Sequence, residues 1–206
     1  MKSSLGLLGV ASCAIVSTFA STSASAAVIS FTQKFVWEAY STGQGSAIYL
    51  EDFNDIADGF YASPFSSSVG PVNWGATASG GIYVAGGQFS TNISEALTFT
   101  FGPDVKGVGG NFYGTDINFN VVPSIITISL ADGTSYVGFV NSSTTYTGFY
   151  STGAAITSLT ISATASSGST SVFPTADNMQ FAVVPAPGAI ALLGLAAGVV
   201  GKRRRR

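Results

Sequence analysis

The stretch ITISLADGTSYVGFV, residues 126–140, indicates most clearly how this chain folds. Its first half alternates apolar and hydroxyl-bearing side chains, as is typical of a strand with one buried and one solvated face. Asp132-Gly133 follows, a strong hairpin signal, and Tyr136–Val140 then returns as the second strand. We therefore predict a hairpin with three residues facing the core, Ile126, Ile128 and Leu130, and two facing outward, Thr127 and Ser129.

Similar short runs recur along the chain and are separated by Gly, Asn, Asp or Pro. They are Leu97–Phe101, Ile156–Ala163 and Met179–Val183, and Val28–Trp37 is expected to start the sheet. Helical periodicity is hard to find. Strands of this length and spacing predict an all-β domain, an antiparallel two-sheet sandwich of jelly-roll type. A Gly-rich solenoid is the alternative, although no repeat of fixed period supports it.

Residues 51–87 are less regular and contain two prolines and two Gly-Gly pairs. We expect this stretch to be a long excursion over the sandwich, and loops of this kind often carry binding residues. Trp74, flanked by Tyr61 and Tyr83, is the candidate platform on which sugar rings of an exopolysaccharide would stack. Alternatively, these aromatic side chains cover the open edge of the core.

The densest acidic cluster is the segment EDFNDIADG, residues 51–59. It fails the EF-hand pattern, because Ile56 stands at the third ligand position and no glutamate closes the loop. Carboxylates and carbonyl oxygens of an irregular loop can still supply the roughly six to eight oxygens that calcium prefers. The segment is therefore either part of a structural calcium site, with Glu51 or Asp52 as a ligand, or a solvated acidic loop.

The N-terminal 26 residues have the layout of a signal peptide. Lys2 supplies the positive charge, Leu5–Ala20 the apolar stretch and Ala24-Ser25-Ala26 a small-x-small site for signal peptidase. We therefore expect residues 1–26 to be removed and residues 27–183 to form the exported domain. Cys13, the only cysteine, would be lost with the signal peptide, so the domain would have no disulfide.

Charge and composition narrow the range of functions. Residues 27–183 hold all ten acidic residues and only two basic ones, Lys34 and Lys106, which makes their net charge −8. Such a domain is not expected to bind nucleic acid, whose affinity for proteins comes largely from Lys and Arg on phosphates. The chain has no histidine, which excludes Ser-His-Asp and Cys-His catalysis. A glycoside hydrolase with paired carboxylates remains the enzymatic alternative.

The last 23 residues, 184–206, combine three features. A short proline motif comes first, made of Val184, Pro185, Ala186, Pro187, Gly188 and Ala189. An apolar run over residues 189–201 follows, and five cations end the chain, Lys202, Arg203, Arg204, Arg205 and Arg206. Terminal cations hold the cytoplasmic end of a membrane helix in place, so the residues before the run are expected on the far side of the membrane.

This tail resembles the PEP-CTERM sorting domain of Gram-negative bacteria, in the variant whose signature begins VPAPGA. Ala186 stands where the name-giving motif has Glu, as it does in that variant. The resemblance implies recognition by an exosortase-type processing enzyme after transient anchoring in the inner membrane. Release or attachment at the cell surface would follow, often alongside exopolysaccharide and biofilm production. The alternative is a plain C-terminal transmembrane helix, but 13 residues of helix rise only about 20 Å against an apolar core of about 30 Å.

A second resemblance covers residues 95–184. Segments such as VKGVGGNFY, from Val105, and PTADNMQFA, from Pro174, are similar to the β-sandwich domains that precede such tails, which resemble galactose-binding-like, carbohydrate-binding jelly rolls. The resemblance implies close strand approach at Gly109-Gly110 and places Asp177-Asn178 at the entry to the last strand. It also implies a structural calcium ion shared by Glu51 or Asp52 with Asp177.

Together these features predict a non-enzymatic, exported β-sandwich protein of the cell surface or extracellular matrix, structural or glycan-associated. A secreted polysaccharide-degrading enzyme that uses paired carboxylates is one alternative. A structural coat protein with no ligand of its own is the other.

Overall fold

The computed structural model describes residues 27–167 and 171–185. The predicted signal peptide and the predicted C-terminal apolar helix lie outside these residues. The described part contains one helix, α1 (Lys34–Gly43), and fifteen strands. These are β1 (Val28–Phe31), β2 (Ala47–Glu51), β3 (Gly59–Tyr61), β4 (Phe65–Val69), β5 (Val72–Thr77), β6 (Ile82–Ala85), β7 (Gln88–Thr91), β8 (Leu97–Phe101), β9 (Val105–Thr115), β10 (Val121–Val122), β11 (Ser124–Leu130), β12 (Ser135–Val140), β13 (Tyr146–Ser151), β14 (Ser158–Ala165) and β15 (Phe173–Val183).

The strands form two antiparallel sheets packed as a sandwich, which confirms the predicted fold class. Sheet A has the order β1-β13-β9-β15-β7-β6-β3, with β10 paired to β9 and β2 paired to β15. Sheet B has the order β12-β11-β14-β8-β5-β4. The core between them is rich in aromatic side chains, including Phe53, Trp74, Phe89 and Phe99, whose rings contact one another. Each sheet buries one side of its alternating strands, and this burial is the main stabilising term for the domain.

The predicted hairpin is confirmed as β11–β12, in which Ile128 pairs with Tyr136. The backbone N–H of Leu130 donates to the carbonyl oxygen of Thr134 at 2.9 Å. Gly133 takes a φ of 88°, a conformation that favours glycine. The predicted inward residues are buried and the outward ones are half-buried or exposed: Ile126, Ile128 and Leu130 against Thr127 and Ser129.

The prediction that Val28–Trp37 forms one strand is wrong beyond Phe31, because α1 begins at Lys34. Trp37 and Ser41, one helical turn apart, are the buried residues of this helix. The indole Nε1 of Trp37 donates to the carbonyl oxygen of Phe149 at 2.9 Å. Packing of Trp37 against the outer face of sheet A therefore outweighs the weak preference of residues 32–37 for a strand. Tertiary packing commonly overrides local preference in this way.

The surface of sheet A on which the Trp37 ring packs is formed by two glycines, Gly107 and Gly148. A Cβ on Gly148 of β13 would lie 2.7 Å from Cδ1 of the indole, and one on Gly107 of β9 would lie 3.1 Å from Cζ2. Both positions must therefore lack a side chain for α1 to reach the sheet. Within the described residues, no helix has the length and apolarity that a membrane crossing requires.

The predicted excursion over residues 51–87 is also wrong. The segment contains four short strands, β3 to β6, and its prolines and glycine pairs fall between them or, in the case of Gly86-Gly87, directly after β6. Gly70-Pro71, for example, connects β4 to β5, whose Val69 and Val72 pair. Turn residues at such short intervals bound strands of three to six residues instead of opening a long loop.

The last strand is longer than predicted. β15 begins at Phe173, so Asp177-Asn178 lies within it and not at its entry. The register with β9 shifts between Asp177 and Gln180, and Asn178 takes a φ of 50°, which marks a β-bulge. The expected close approach is found at Gly110, where a Cβ would lie 3.3 Å from the carbonyl oxygen of Asp177.

Candidate ligand-binding cleft

Trp74, the predicted stacking platform, lies in the core and is only 3% exposed. Its Nε1 donates to Oε2 of Glu51 at 3.0 Å, and its ring packs edge-on against Phe53. A buried ring cannot offer a face to a sugar, so this prediction is wrong. The signal lay in β5 itself, where Val72, Trp74 and Ala76 alternate as the inward residues of a strand.

The two predicted flanking tyrosines lie on different faces. Tyr61 packs edge-on against Phe65 and donates from its hydroxyl to the carbonyl oxygen of Ala57 at 2.7 Å. It supports the core and does not join a binding surface. Tyr83, in contrast, is 39% exposed on the outer face of sheet A. Of the three predicted aromatic residues, only Tyr83 is therefore available to a ligand.

The acidic segment is held by its own hydrogen bonds and those of a neighbouring turn. Oε1 of Glu51 accepts from the backbone N–H of Phe53 at 3.0 Å, and Oδ1 of Asp52 accepts from that of Asn54 at 3.1 Å. Oδ1 of Asp58 accepts from the N–H of Gly86, in the β6–β7 turn, at 2.9 Å. Glu51 and Asp52 therefore stabilise turns within the segment, and Asp58 fastens the segment to the β6–β7 hairpin.

Burial raises the pKa of Glu51, against the opposing effect of its hydrogen bonds from Phe53 and Trp74. Burial also raises the pKa of Asp177, and the negative charge of Asp52 contributes to this shift. Asp52 itself has a lowered pKa because the side chain and backbone of Asn54 donate to its carboxylate. Asp52 and Asp177 therefore lie near enough for their charges to interact.

Glu51 does not fit the predicted calcium site. Glu51 is 4% exposed, and both of its carboxylate oxygens accept hydrogen bonds within the core. In the described part of the chain, no group of three or more Asp, Glu, His or Cys side chains could hold a metal ion. The alternative in which Glu51 converges with Asp177 on an ion is therefore wrong, because the Glu51 side chain turns between the sheets towards Trp74. The alternative with Asp52 and Asp177 stays a prediction.

The structure instead shows a cleft on the outer face of sheet A, with a volume of about 450 Å³. This volume is within the usual range for small-ligand sites. The cleft lies between the β6–β7 hairpin and the loop that joins β9 to β10. Its walls are formed by Tyr83, Ala85, Ser90, Thr91, Asn92, Asp116, Ile117, Asn118, Phe119 and Phe173.

The loop wall of the cleft is built around Asp116. Its Oδ1 accepts from the backbone N–H groups of Asn118 at 2.8 Å and Asn120 at 2.9 Å. The side-chain amide of Asn120 donates to the same carboxylate, and these hydrogen bonds lower the pKa of Asp116. Phe119 is thereby held at a φ of 62°, with its ring towards Tyr83. A conformation that phenylalanine rarely adopts is thus stabilised at the cleft.

Beside the cleft, a buried chain of hydroxyl groups crosses three strands. Thr115 and Thr175 are joined at 2.8 Å between their Oγ1 atoms, and Thr175 donates to Oγ of Ser90 at 2.9 Å. Ser90 in turn donates to the carbonyl oxygen of Pro174 at 3.2 Å. These hydroxyls satisfy one another, so Ser90, the one of the three that lines the cleft, is held in place by the sheet.

A row of three aromatic side chains, two exposed and one half-buried, adjoins the cleft. Phe60 of β3 pairs directly with Tyr83 of β6, and the rings of Tyr83 and Phe119 lie 6.0 Å apart at 45°. Phe60 is 57% exposed. We call Phe60, Tyr83 and Phe119 the aromatic row. Sequence reasoning missed Phe60 and Phe119; the alternation of β3, with Phe60 outward and Tyr61 inward, was the available signal for the first.

The side chains that line the cleft are suited to binding a ligand and offer little for acid–base catalysis. Asp116 contributes the one carboxylate among the lining residues that the structure describes, and it already accepts several hydrogen bonds. A two-carboxylate glycosidase needs a second carboxyl group across the scissile bond. The described lining residues of this cleft do not supply it.

Comparisons with known proteins identify no relative: no protein-family model, no curated protein and no solved structure matches this chain. Of the predicted sorting motif, Val184 and Pro185 are described, and both are exposed. Ala186, Pro187, Gly188 and Ala189 lie outside the described residues, as do the terminal cations from Lys202 to Arg206.

Proposed function

We propose that this chain is an exported protein of the cell surface or extracellular matrix, processed by an exosortase-type enzyme, whose β-sandwich is non-catalytic. The observation that carries the proposal is the layout of the tail, in which the motif from Val184 to Ala189 precedes an apolar run and five terminal cations. The net charge of −8 over residues 27–183 suits a domain that works outside the cell.

The path of the chain is compatible with a processing site directly after the sandwich. β15 ends at Val183, and Val184 is 37% exposed. An enzyme could therefore reach the proline motif without unfolding the sheet. This supports the proposal, because processing enzymes act on exposed backbone.

Both ends of the described domain leave sheet A at the same end of its strands, the end at which β9 begins. At the N-terminal end of the domain, Val28 pairs with Ser151, and the neighbouring Tyr150 pairs with Gly107 of β9. At the C-terminal end, Ala182 pairs with the same Gly107. The cleft adjoins the opposite end of β9, a strand of eleven residues that spans about 33 Å. If the tail attaches the protein to a surface, the cleft would point away from that surface.

The test is the intact mass of the mature protein isolated from its native host. We expect a species that starts near Ala27 and ends before Ala189. Replacing Arg203–Arg206 with neutral residues should weaken membrane retention of the precursor, because those cations fix its orientation. Lys34→Gln removes an exposed cation outside the tail and should leave processing unchanged. Surface-located protein that retains Lys202–Arg206 would contradict the proposal and favour a plain anchor.

A further inference from the structure

We propose that the cleft and the aromatic row form a binding site for a neutral oligosaccharide. The site concerns the folded domain alone and does not depend on how the tail is processed. It differs from the expected platform at Trp74, because it uses the outer face of sheet A at the end that carries the β9–β10 loop.

The aromatic row supplies the apolar part of the site. Phe60 and Tyr83 are exposed cross-strand neighbours, and such pairs have Cβ atoms about 5 Å apart. Phe119 continues the row on the other side of Tyr83. The flat faces of aromatic rings match the apolar C–H faces of pyranose rings, and a row of three can contact successive sugar units.

Phe60 and Tyr83 are exposed to solvent, although leaving a large aromatic ring in water is unfavourable. Phe60 and Tyr83 could have been covered by the chain, as Tyr61 and Phe65 are. The β9–β10 loop instead holds Phe119 beside Tyr83 without closing over the cleft, through the Asp116 hydrogen bonds. A rigid, pre-formed wall lowers the entropic cost of binding, which favours a ligand site over a chance hydrophobic patch.

Asparagine amides supply the polar part. Asn92 and Asn118 line the cleft, and Nδ2 of Asn92 donates to the carbonyl oxygen of Gly80 at 3.2 Å, which fixes the orientation of that amide. Amides both donate and accept hydrogen bonds, as sugar hydroxyls do. The buried hydroxyls beside the cleft, those of Thr115 and Thr175, are already paired with each other. The two amides therefore supply the polar part of the cleft together with Thr91, a lining residue whose Oγ1 has no hydrogen-bond partner among the described residues.

Charge selects the class of saccharide. No Lys or Arg is among the described residues that line the cleft, where Asp116 is the one charged side chain. The net charge of −8 over residues 27–183 adds a repulsive field for anions. A uronic acid or sulfated polymer is therefore disfavoured, and a neutral chain of hexoses fits.

The test uses the full chain and soluble hexasaccharides of β-glucose, mannose and galactose, with an oligogalacturonate of the same length as the anionic probe. Binding is followed by saturation-transfer NMR and calorimetry. We expect at least one neutral probe to bind, and Tyr83→Ala to weaken that binding by at least about tenfold, or about 1.4 kcal/mol, because it removes the central ring of the aromatic row. Phe119→Asn should weaken binding similarly, because it also removes a ring of the row. Asparagine tolerates the positive φ at this position, so the loop should keep its conformation.

Phe139→Ala is the matched control. Phe139 is 57% exposed on sheet B, so its loss removes an aromatic side chain away from the site. Unchanged binding in this variant, with unchanged melting of all three variants, supports the proposal. It is overturned if none of the neutral probes binds, if the anionic probe binds more tightly, or if Tyr83→Ala and Phe119→Asn bind like the unmodified chain. Loss of self-association in Tyr83→Ala without any saccharide binding would also overturn it, since the row would then join two copies of the chain. The mass measurement of the tail is independent, so either proposal can fail alone.

Discussion

Nε1 of Trp74 on sheet B donates to Oε2 of Glu51 on sheet A, at 3.0 Å across the core. The other carboxylate oxygen of Glu51 accepts from the N–H of Phe53, whose φ is 55°. One buried carboxylate thus connects the two sheets and satisfies a backbone group at the start of the acidic segment. Two residues that the sequence suggested for separate ligands, calcium and glycan, instead form one structural contact.

The pH dependence of stability should report on Glu51. Burial raises its pKa, so the folded chain holds a proton there that the unfolded chain has released. The stabilisation is fully present below about pH 4.5, the ordinary value, and is lost as the pH rises through the raised pKa. We expect the urea-unfolding free energy to fall over that interval and Glu51→Gln to flatten the fall. Asp177, whose raised pKa acts with the same sign, remains in both proteins and is the internal reference.

Glu51→Gln should also lower the unfolding free energy at every pH, by about 1–3 kcal/mol. The glutamine keeps one acceptor oxygen, and its NH₂ group then faces one of two N–H donors, that of Trp74 or of Phe53. An unchanged slope of stability against pH in this variant would show that another group causes the dependence.

Tryptophan fluorescence should be that of buried indoles. The chain has two tryptophans, Trp37 and Trp74, which are 0% and 3% exposed. We expect blue-shifted emission and weak quenching by acrylamide in the folded protein, and strong quenching in urea. Trp74→Phe leaves Trp37 as the single reporter and should show the same protection. Ready quenching of the folded protein would contradict the burial of Trp74.

Gly148→Ala should destabilise the domain by about 1–3 kcal/mol, because the added Cβ would lie 2.7 Å from the indole of Trp37. Gly43→Ala is the matched control: its Cβ would meet nothing within 4 Å, and it ends α1. That change should be neutral or stabilise by up to about 1 kcal/mol. Equal melting temperatures for the two variants would show that the packing of α1 on the sheet does not require a glycine at position 148.

Ile128→Ala should cost about 2–5 kcal/mol, because Ile128 is 0% exposed in the core. Ile125→Ala, in the same strand and 37% exposed, should cost clearly less. Urea unfolding of both variants measures the difference. The opposite order would mean that the β11 register is shifted by one residue, since such a shift exchanges the two faces of a strand.

Calcium should not affect the melting temperature. A ligand that binds the native state raises stability by RT ln(1 + [L]/Kd), and the Glu51 carboxylate is already occupied by two N–H donors. Melting curves in millimolar calcium and in chelator are therefore expected to coincide. A rise in melting temperature that Asp177→Ala abolishes would contradict this expectation and support an ion held by Asp52 and Asp177.

Local pattern was enough to predict the strands that alternate cleanly. The β11–β12 hairpin follows from the order of Ile126, Ile128 and Leu130 before Asp132-Gly133, because turn chemistry and a two-residue period are both local properties. The failure over residues 51–87 has the opposite cause. Prolines and glycines indicate that the chain turns, but they do not show whether the segments between turns pair with distant strands.

α1 and the cleft depended on residues far apart in sequence. Trp37 lies in a helix because Gly107 and Gly148, on two other strands, leave room for its ring. Phe119 adjoins Tyr83 because the β9–β10 loop returns to the β6–β7 hairpin. Such contacts have no signature in a single segment, since neither partner needs the other in order to adopt its local conformation.

By itself, the sequence determined the all-β class, the inward and outward sides of the regular strands, and the charge of the domain, because periodicity and composition are properties of the chain. Only the tertiary structure decided which aromatic residues are available to a ligand. Trp74 and Phe60 both lie in strands, and the sheets enclose one ring while they leave the other exposed. The free energy of burying an aromatic ring depends on what packs against it, and that is settled only when the two sheets meet.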